Sequence, residues 1–231
     1  MCGRFVRKEE KLLLESRFGC DASGGVLLAP EYNIAPSQDC PVVTVEGDRR
    51  VLGLMRWGLV PAWAGDVKIG YRMINARSET VAEKQSFKTL LKKSRCLVPA
   101  SGFYEWKKLA GGGKTPYFIR LRDGGPFAFA GLWTVWHAGS EDELRSFTII
   151  TTSANELMAP IHDRMPVILG EKDEARWLDP ELGKPDDILP LLVPYPPDAM
   201  ECWEVSPYVN SYKNRGEECI RKVHSTPYPS S

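Results

Sequence analysis

The sequence predicts an α+β fold: a single domain with a mostly antiparallel, barrel-like β-sheet flanked by short helices. Three observations predict it. Short apolar segments separated by turn residues recur along the 231 residues, without the regular strand–helix alternation of a parallel sheet. The run Ala110-Gly111-Gly112-Gly113 lies between two strand-like segments and signals a hairpin. The length suits one core rather than two, and 43% hydrophobic with 26% charged residues is ordinary for a globular chain.

Taken in order, Lys8–Phe18 reads as an amphipathic helix with Leu12, Leu13 and Leu14 inward. Gly19–Pro36, rich in turn residues, reads as a loop. Pro41–Val45 and Val51–Arg56 read as strands across the polar turn 46–48. Trp57–Tyr71, aromatic and broken by Gly and Pro, has the composition of an ordered functional loop. Ser86 is placed to cap a helix reaching Ser94, with Leu90 and Leu91 inward. Strands are expected over Arg95–Pro99, Gly102–Leu109, Tyr117–Arg122, Phe127–Trp136, Phe147–Thr152, Val167–Leu169 and Trp203–Val205. Asn155–Ala159 allows one helical turn, and further short helices are expected near Asp173–Leu178 and Asp187–Leu192. Residues 1–222 form the expected domain, and 223–231 a flexible tail.

Composition also excludes classes. No run of eighteen apolar residues occurs and the N-terminus lacks an apolar stretch, so no membrane span and no Sec-type secretion are expected. The six cysteines (2, 20, 40, 96, 202, 219) form no CxxC pair, which favours reduced thiols. The histidines at 137, 162 and 224 have no ligand spacing, so no metal and no cofactor are expected. Net charge is zero, yet residues 1–130 carry 21 basic against 13 acidic side chains, and residues 131–231 carry 9 against 17. Between Arg49 and Arg122 the count is 16 to 4, interleaved with aromatic residues. Cations beside flat rings suit single-stranded nucleic acid, although solvated faces and core rings are the bland account of the same residues.

Cys2 is the most informative position. An initiator methionine is generally removed before a small residue, which would leave an α-amine and a thiol on one carbon. Their ordinary pKa values, about 7.7–8.0 and about 8.5, keep both nucleophiles available near neutrality. A 1,2-aminothiol condenses with an aldehyde to an imine, and the tethered sulfur then closes a thiazolidine ring. An internal cysteine cannot do this. The same terminus would also serve an N-terminal-nucleophile amidohydrolase, and a frayed, incidental cysteine is the plain alternative.

Six motifs narrow the choice: Met1-Cys2-Gly3-Arg4-Phe5, Asn33-Ile34-Ala35-Pro36, Arg56 through Trp63, Ile74 through Thr80, Gly102-Phe103-Tyr104-Glu105-Trp106, and Ile161-His162-Asp163-Arg164-Met165-Pro166. In this order they resemble the SRAP (SOS-response-associated peptidase) family, from Cys2 to about Ile220. The resemblance implies a covalent thiazolidine cross-link between Cys2 and abasic sites in single-stranded DNA, including single/double-strand junctions, which shields the lesion. It further implies removal of Met1 by the protein itself, and in some members a β-lyase activity.

The resemblance makes Cys2, Asn75, Glu105 and His162 the catalytic residues, and Arg4, Pro36, Trp63 and Arg77 the DNA contacts. Their chemistry agrees. Opening the cyclic sugar of an abasic site needs proton transfers, for which a desolvated Glu105 and a near-neutral imidazole at His162 are suited. Asn75 can hold an amine or an oxyanion without titrating. Arg4 and Arg77 match phosphates, and Pro36 and Trp63 match bases beside a flipped-out sugar. Each has an ordinary alternative: a surface carboxylate for Glu105, a structural imidazole for His162, a buried turn amide for Asn75, solvated arginines, and loop packing. A non-catalytic single-stranded DNA-binding module also remains open. A monomer is expected, in the bacterial cytoplasm and on the nucleoid when bound to DNA.

Overall fold

The computed structural model describes residues 2–22 and 27–223; the expected tail, apart from Val223, lies outside the described residues. The chain runs β1 (Phe5–Arg7), α1 (Lys11–Phe18), β2 (Asp21–Ala22), β3 (Glu31–Ile34), β4 (Asp39–Glu46) and β5 (Arg49–Trp57). A 3₁₀ turn at Val67–Arg72 leads to β6 (Asn75–Arg77), α2 (Lys88–Lys93), β7 (Arg95–Ala100), β8 (Gly102–Lys108), β9 (Lys114–Leu121), β10 (Phe127–Trp136) and β11 (Leu144–Ser153). Then follow β12 (Arg164–Pro166), β13 (Ile168–Leu169), α3 (Glu171–Leu178), α4 (Pro185–Ile188) and β14 (Met200–Glu204).

One sheet has the order β14-β9-β8-β1-β3 and is antiparallel throughout. The larger sheet runs β12-β11-β10-β7-β4-β5-β2 and bends until β5 meets β11, with Ser146 opposite Arg56 and Phe147 opposite Trp57. That two-residue parallel contact makes a ring of strands, not a true barrel, which refines the barrel-like expectation. The ring holds Phe5, Trp57, Phe103, Phe127 and Phe129 in edge-to-face contacts. A second core lies under the helices, with Trp177, Leu91 and Phe18.

Several local expectations change. Of the three leucines in α1, only Leu14 is buried, with Phe18 four residues on, while Leu12 and Leu13 are exposed. Consecutive residues are about 100° apart around a helix and cannot share one face. The helix at Lys88 has Phe87, not Ser86, at its cap position, with no side-chain cap. The stretch Gly19–Pro36 is no plain loop: β3 within it pairs with β1, and β2 pairs with β5. The 57–71 excursion is pinched at its foot, where Gly58 at φ +117° would set a Cβ 2.7 Å from the Gly70 carbonyl oxygen. Only glycine fits there.

Candidate functional site

The site grows from the pairing of β1 with β8. Phe5 faces Phe103, Val6 faces Gly102, and the Tyr104 amide donates to the Arg4 carbonyl at 3.0 Å. Continued toward the N-terminus, this antiparallel register carries the chain past Glu105. Residues two apart on a strand share a face, so Glu105 points the same way as Phe103, into the core cluster that contains Cys2.

Cys2 is 0% exposed in this chain, which carries Met1, and its Sγ lies 3.9 Å from the Arg4 carbonyl oxygen. The thiol is thus buried while Met1 is attached. Burial pushes its pKa far up, and the Glu105 charge pushes it further, so the thiol holds its proton. Glu105 is 3% exposed, which removes the surface-carboxylate account. Burial raises its pKa; His162 and the Trp106 amide pull the other way. Cys2, Glu105 and His162 therefore form one electrostatically linked group.

His162 is half-buried ahead of β12. Its Nδ1 accepts from the Arg164 amide at 3.0 Å and lies 2.9 Å from Asp163 Oδ1. Asn75 sits on β6 beside Ile149 of β11. Its Nδ2 donates to the Ile74 carbonyl at 3.0 Å, while its buried Oδ1 has no hydrogen-bond partner among the described residues. A buried, unused acceptor is costly unless a donor arrives. Ile74 packs against the same cluster as Cys2, so Asn75 lies at its margin.

The expected DNA contacts are dispersed. Arg77 on β6 is exposed, and Trp63 is 66% exposed on the 57–71 excursion. That crown is anchored by the Trp136 indole, which donates to the Ala64 carbonyl at 2.7 Å. Pro36 is half-buried before Ser37, whose φ is +73°. Arg4 turns inward: it donates to Asn33 Oδ1 at 2.8 Å, to the Val209 carbonyl at 3.0 Å and to the Asn210 carbonyl at 3.2 Å. Sequence reasoning assigned no role to Asp163, Arg164 or Asn33, although all three lie in the quoted motifs. Asn33 Nδ2 reaches the carbonyls of Val209, Ser211 and Asn214. Among the described residues, no group of three His, Cys, Asp or Glu side chains is arranged to hold a metal ion.

A ring-shaped α+β domain with a cysteine at its second residue, held beside a buried carboxylate and an imidazole, defines the class of protein. The family description "SOS response associated peptidase (SRAP)" matches residues 1–212, and the chain belongs to this family. It is 47% identical over 223 residues to abasic site processing protein YoqW of Bacillus subtilis, covering 95% of this chain and 99% of that one. Abasic site processing protein HMCES of Mus musculus is 34% identical over 83% of this chain and 64% of its own length. A crystal structure of a protein from Bacteroides thetaiotaomicron superposes with a TM-score of 0.87 at 27% identity, covering 96% of this chain and all of that one. No described helix is long and apolar enough to cross a membrane.

Proposed function

We propose that this protein processes abasic sites in DNA, capturing them covalently through Cys2 once Met1 has been removed. The observation that carries the reading is the coupling of Cys2, Glu105 and His162 at the N-terminal end of β1, in a chain whose relatives bear the name abasic site processing protein. Residues 1–222 act as one domain, as a monomer, without cofactor.

The chemistry follows from these side chains. His162 and Glu105 move protons as the sugar ring opens to its C1′ aldehyde. The α-amine of Cys2 adds to C1′ and water leaves, giving an imine. The sulfur then adds to the imine carbon, and the thiol proton ends on the ring nitrogen, closing the thiazolidine. Asn75 Oδ1, the unused acceptor, holds the α-amine. With Met1 attached, that nitrogen is an amide and the buried thiol stays protonated, so the unprocessed chain is inert. The same three residues serve removal of Met1 by the chain itself, and imine chemistry at C1′ accounts for a β-lyase side reaction.

Arg77 binds a phosphate, Trp63 stacks on a base and Pro36 wedges beside the flipped-out sugar. Arg4 adds its remaining N–H groups. The substrate is single-stranded DNA, including junctions with duplex, and the protein works in the bacterial cytoplasm on the nucleoid.

The test mixes processed protein, with loss of Met1 confirmed by intact mass, with a single-stranded oligonucleotide carrying one abasic site. A heat-stable adduct is expected from the native protein and none from Cys2→Ala. An equally heat-stable adduct from Cys2→Ala overturns the reading.

A further inference from the structure

Two groups compete for one atom of His162. Nδ1 lies 3.0 Å from the backbone N–H of Arg164 and 2.9 Å from Asp163 Oδ1. These neighbours demand opposite states: the amide needs a lone pair on Nδ1, and the carboxylate needs a proton there. A neutral ring accepts from the Arg164 amide, which leaves its single proton on Nε2. A second proton lands on Nδ1 and is received by Asp163. In both states Nε2 carries hydrogen, and Nε2 is the nitrogen turned away from the main chain of residues 163–164.

We propose that Asp163 and the Arg164 amide form a two-position latch on His162 Nδ1, which keeps Nε2–H presented as the proton donor before and after protonation. Asp163 is thus a positioning residue, and the inference rests on His162 being the proton donor in abasic-site capture.

The latch has a fixed base. The Arg164 guanidinium grips both oxygens of Glu79, with Nη2 to Oε2 at 2.9 Å, and donates to the Thr151 carbonyl at 2.7 Å. That grip holds the Glu79 carboxyl below its ordinary range. Thr151 also receives the Ser78 amide at 2.9 Å, so one carbonyl ties together the chain after β6 and the chain of β12. Arg164 in turn faces Ser153 in the β11–β12 ladder. The amide that holds Nδ1 therefore belongs to a clamped strand. The charged groups acting on the imidazole are Asp163 on its own segment and Glu105 from β8, which also faces Cys2; the Arg164 cation is turned to Glu79.

Two measurements test the latch. In ¹⁵N-histidine spectra of the free, processed protein, neutral His162 is expected as the Nε2–H form in both the native protein and Asp163→Ala. In adduct formation, Asp163→Ala is expected to be about two- to fivefold slower, with DNA affinity unchanged. Asp163→Glu is expected to recover most of the rate. A native Nδ1–H form, an Asp163→Ala rate equal to the native one, or an Asp163→Glu variant as slow as Asp163→Ala overturns the latch. If the native protein forms no adduct at all, the capture reading falls, and the spectra alone decide the latch.

Discussion

Two buried charges, Glu105 on β8 and Arg95 at the start of β7, are treated in opposite ways. Arg95 is 7% exposed and spends four of its five N–H groups on main-chain carbonyls: Nη1 donates to the carbonyls of Leu91 at 2.7 Å and Lys92 at 3.0 Å, Nε to that of Trp177, and Nη2 to that of Asp179. Those carbonyls end α2 and α3, so one guanidinium closes two helix C-termini whose acceptors would otherwise be orphaned. For Glu105, burial raises the pKa, and the opposing influence of His162 and the Trp106 amide leaves it still raised. Arg95 is matched by fixed main-chain carbonyls, whereas Glu105 sits among ionisable side chains, Cys2 and His162.

The comparison breaks most visibly at Arg95. Arg95→Met strips four carbonyls of their donor and is expected to cost about 3–4 kcal/mol of folding stability in denaturant melts. The protein that remains folded should form adduct at the native rate. A stability loss under about 1 kcal/mol would mean that water replaces the guanidinium and that the cage is incidental.

Glu105→Gln tests the other side with a smaller effect. Adduct formation is expected to slow about 100-fold, a typical general acid–base contribution. Stability should move the opposite way. A carboxyl whose folded pKa is raised favours folding below its unfolded value and loses that contribution as pH rises through the folded value. As pH rises above the ordinary carboxylate range the native protein therefore loses stability relative to the variant, which should melt at the higher temperature at neutral pH. The two melting curves should converge below the ordinary carboxylate range. A variant that melts lower at neutral pH would place Glu105 among the structural charges beside Arg95.

The sequence disclosed these two side chains unequally, and the reasons are physical. The roles expected of Cys2, Glu105 and His162 came from the ordered motifs, since each residue taken singly has an ordinary reading; what the fold adds is their electrostatic coupling. Strands β10 and β11 were legible as continuous apolar runs, and the hairpin after β8 by its glycines. Arg95 gave no signal: its four acceptors are main-chain atoms of residues 91, 92, 177 and 179, which no side-chain pattern encodes. Strands β1, β3, β6 and β12 are three or four residues long, too short for a period to register, and are held by partners distant in sequence. The burial of Cys2 was equally hidden, since it depends on the register between β1 and β8.

Charge by sequence position leaves out a related feature, the pairing of charges in space. Ion pairs join the basic first part to the acidic second part: Arg17 with Glu174, Glu79 with Arg164, Arg120 with Glu201, Glu46 with Arg145 and Glu31 with Arg215. We expect cations outside these pairs to contribute to DNA attraction. The sharpest contrast is between Arg77, which is exposed, and Arg4, which spends three of its five N–H groups on Asn33, Val209 and Asn210. Arg77→Gln is expected to weaken single-stranded DNA binding by about 1 kcal/mol and to lower the slope of log K against log salt by about 1, with melting unchanged. Arg4→Gln should change the slope less and the melting temperature more, because it unties the Asn33 network. Equal slope changes from the two variants would show that Arg4 leaves its internal acceptors for a phosphate when DNA binds.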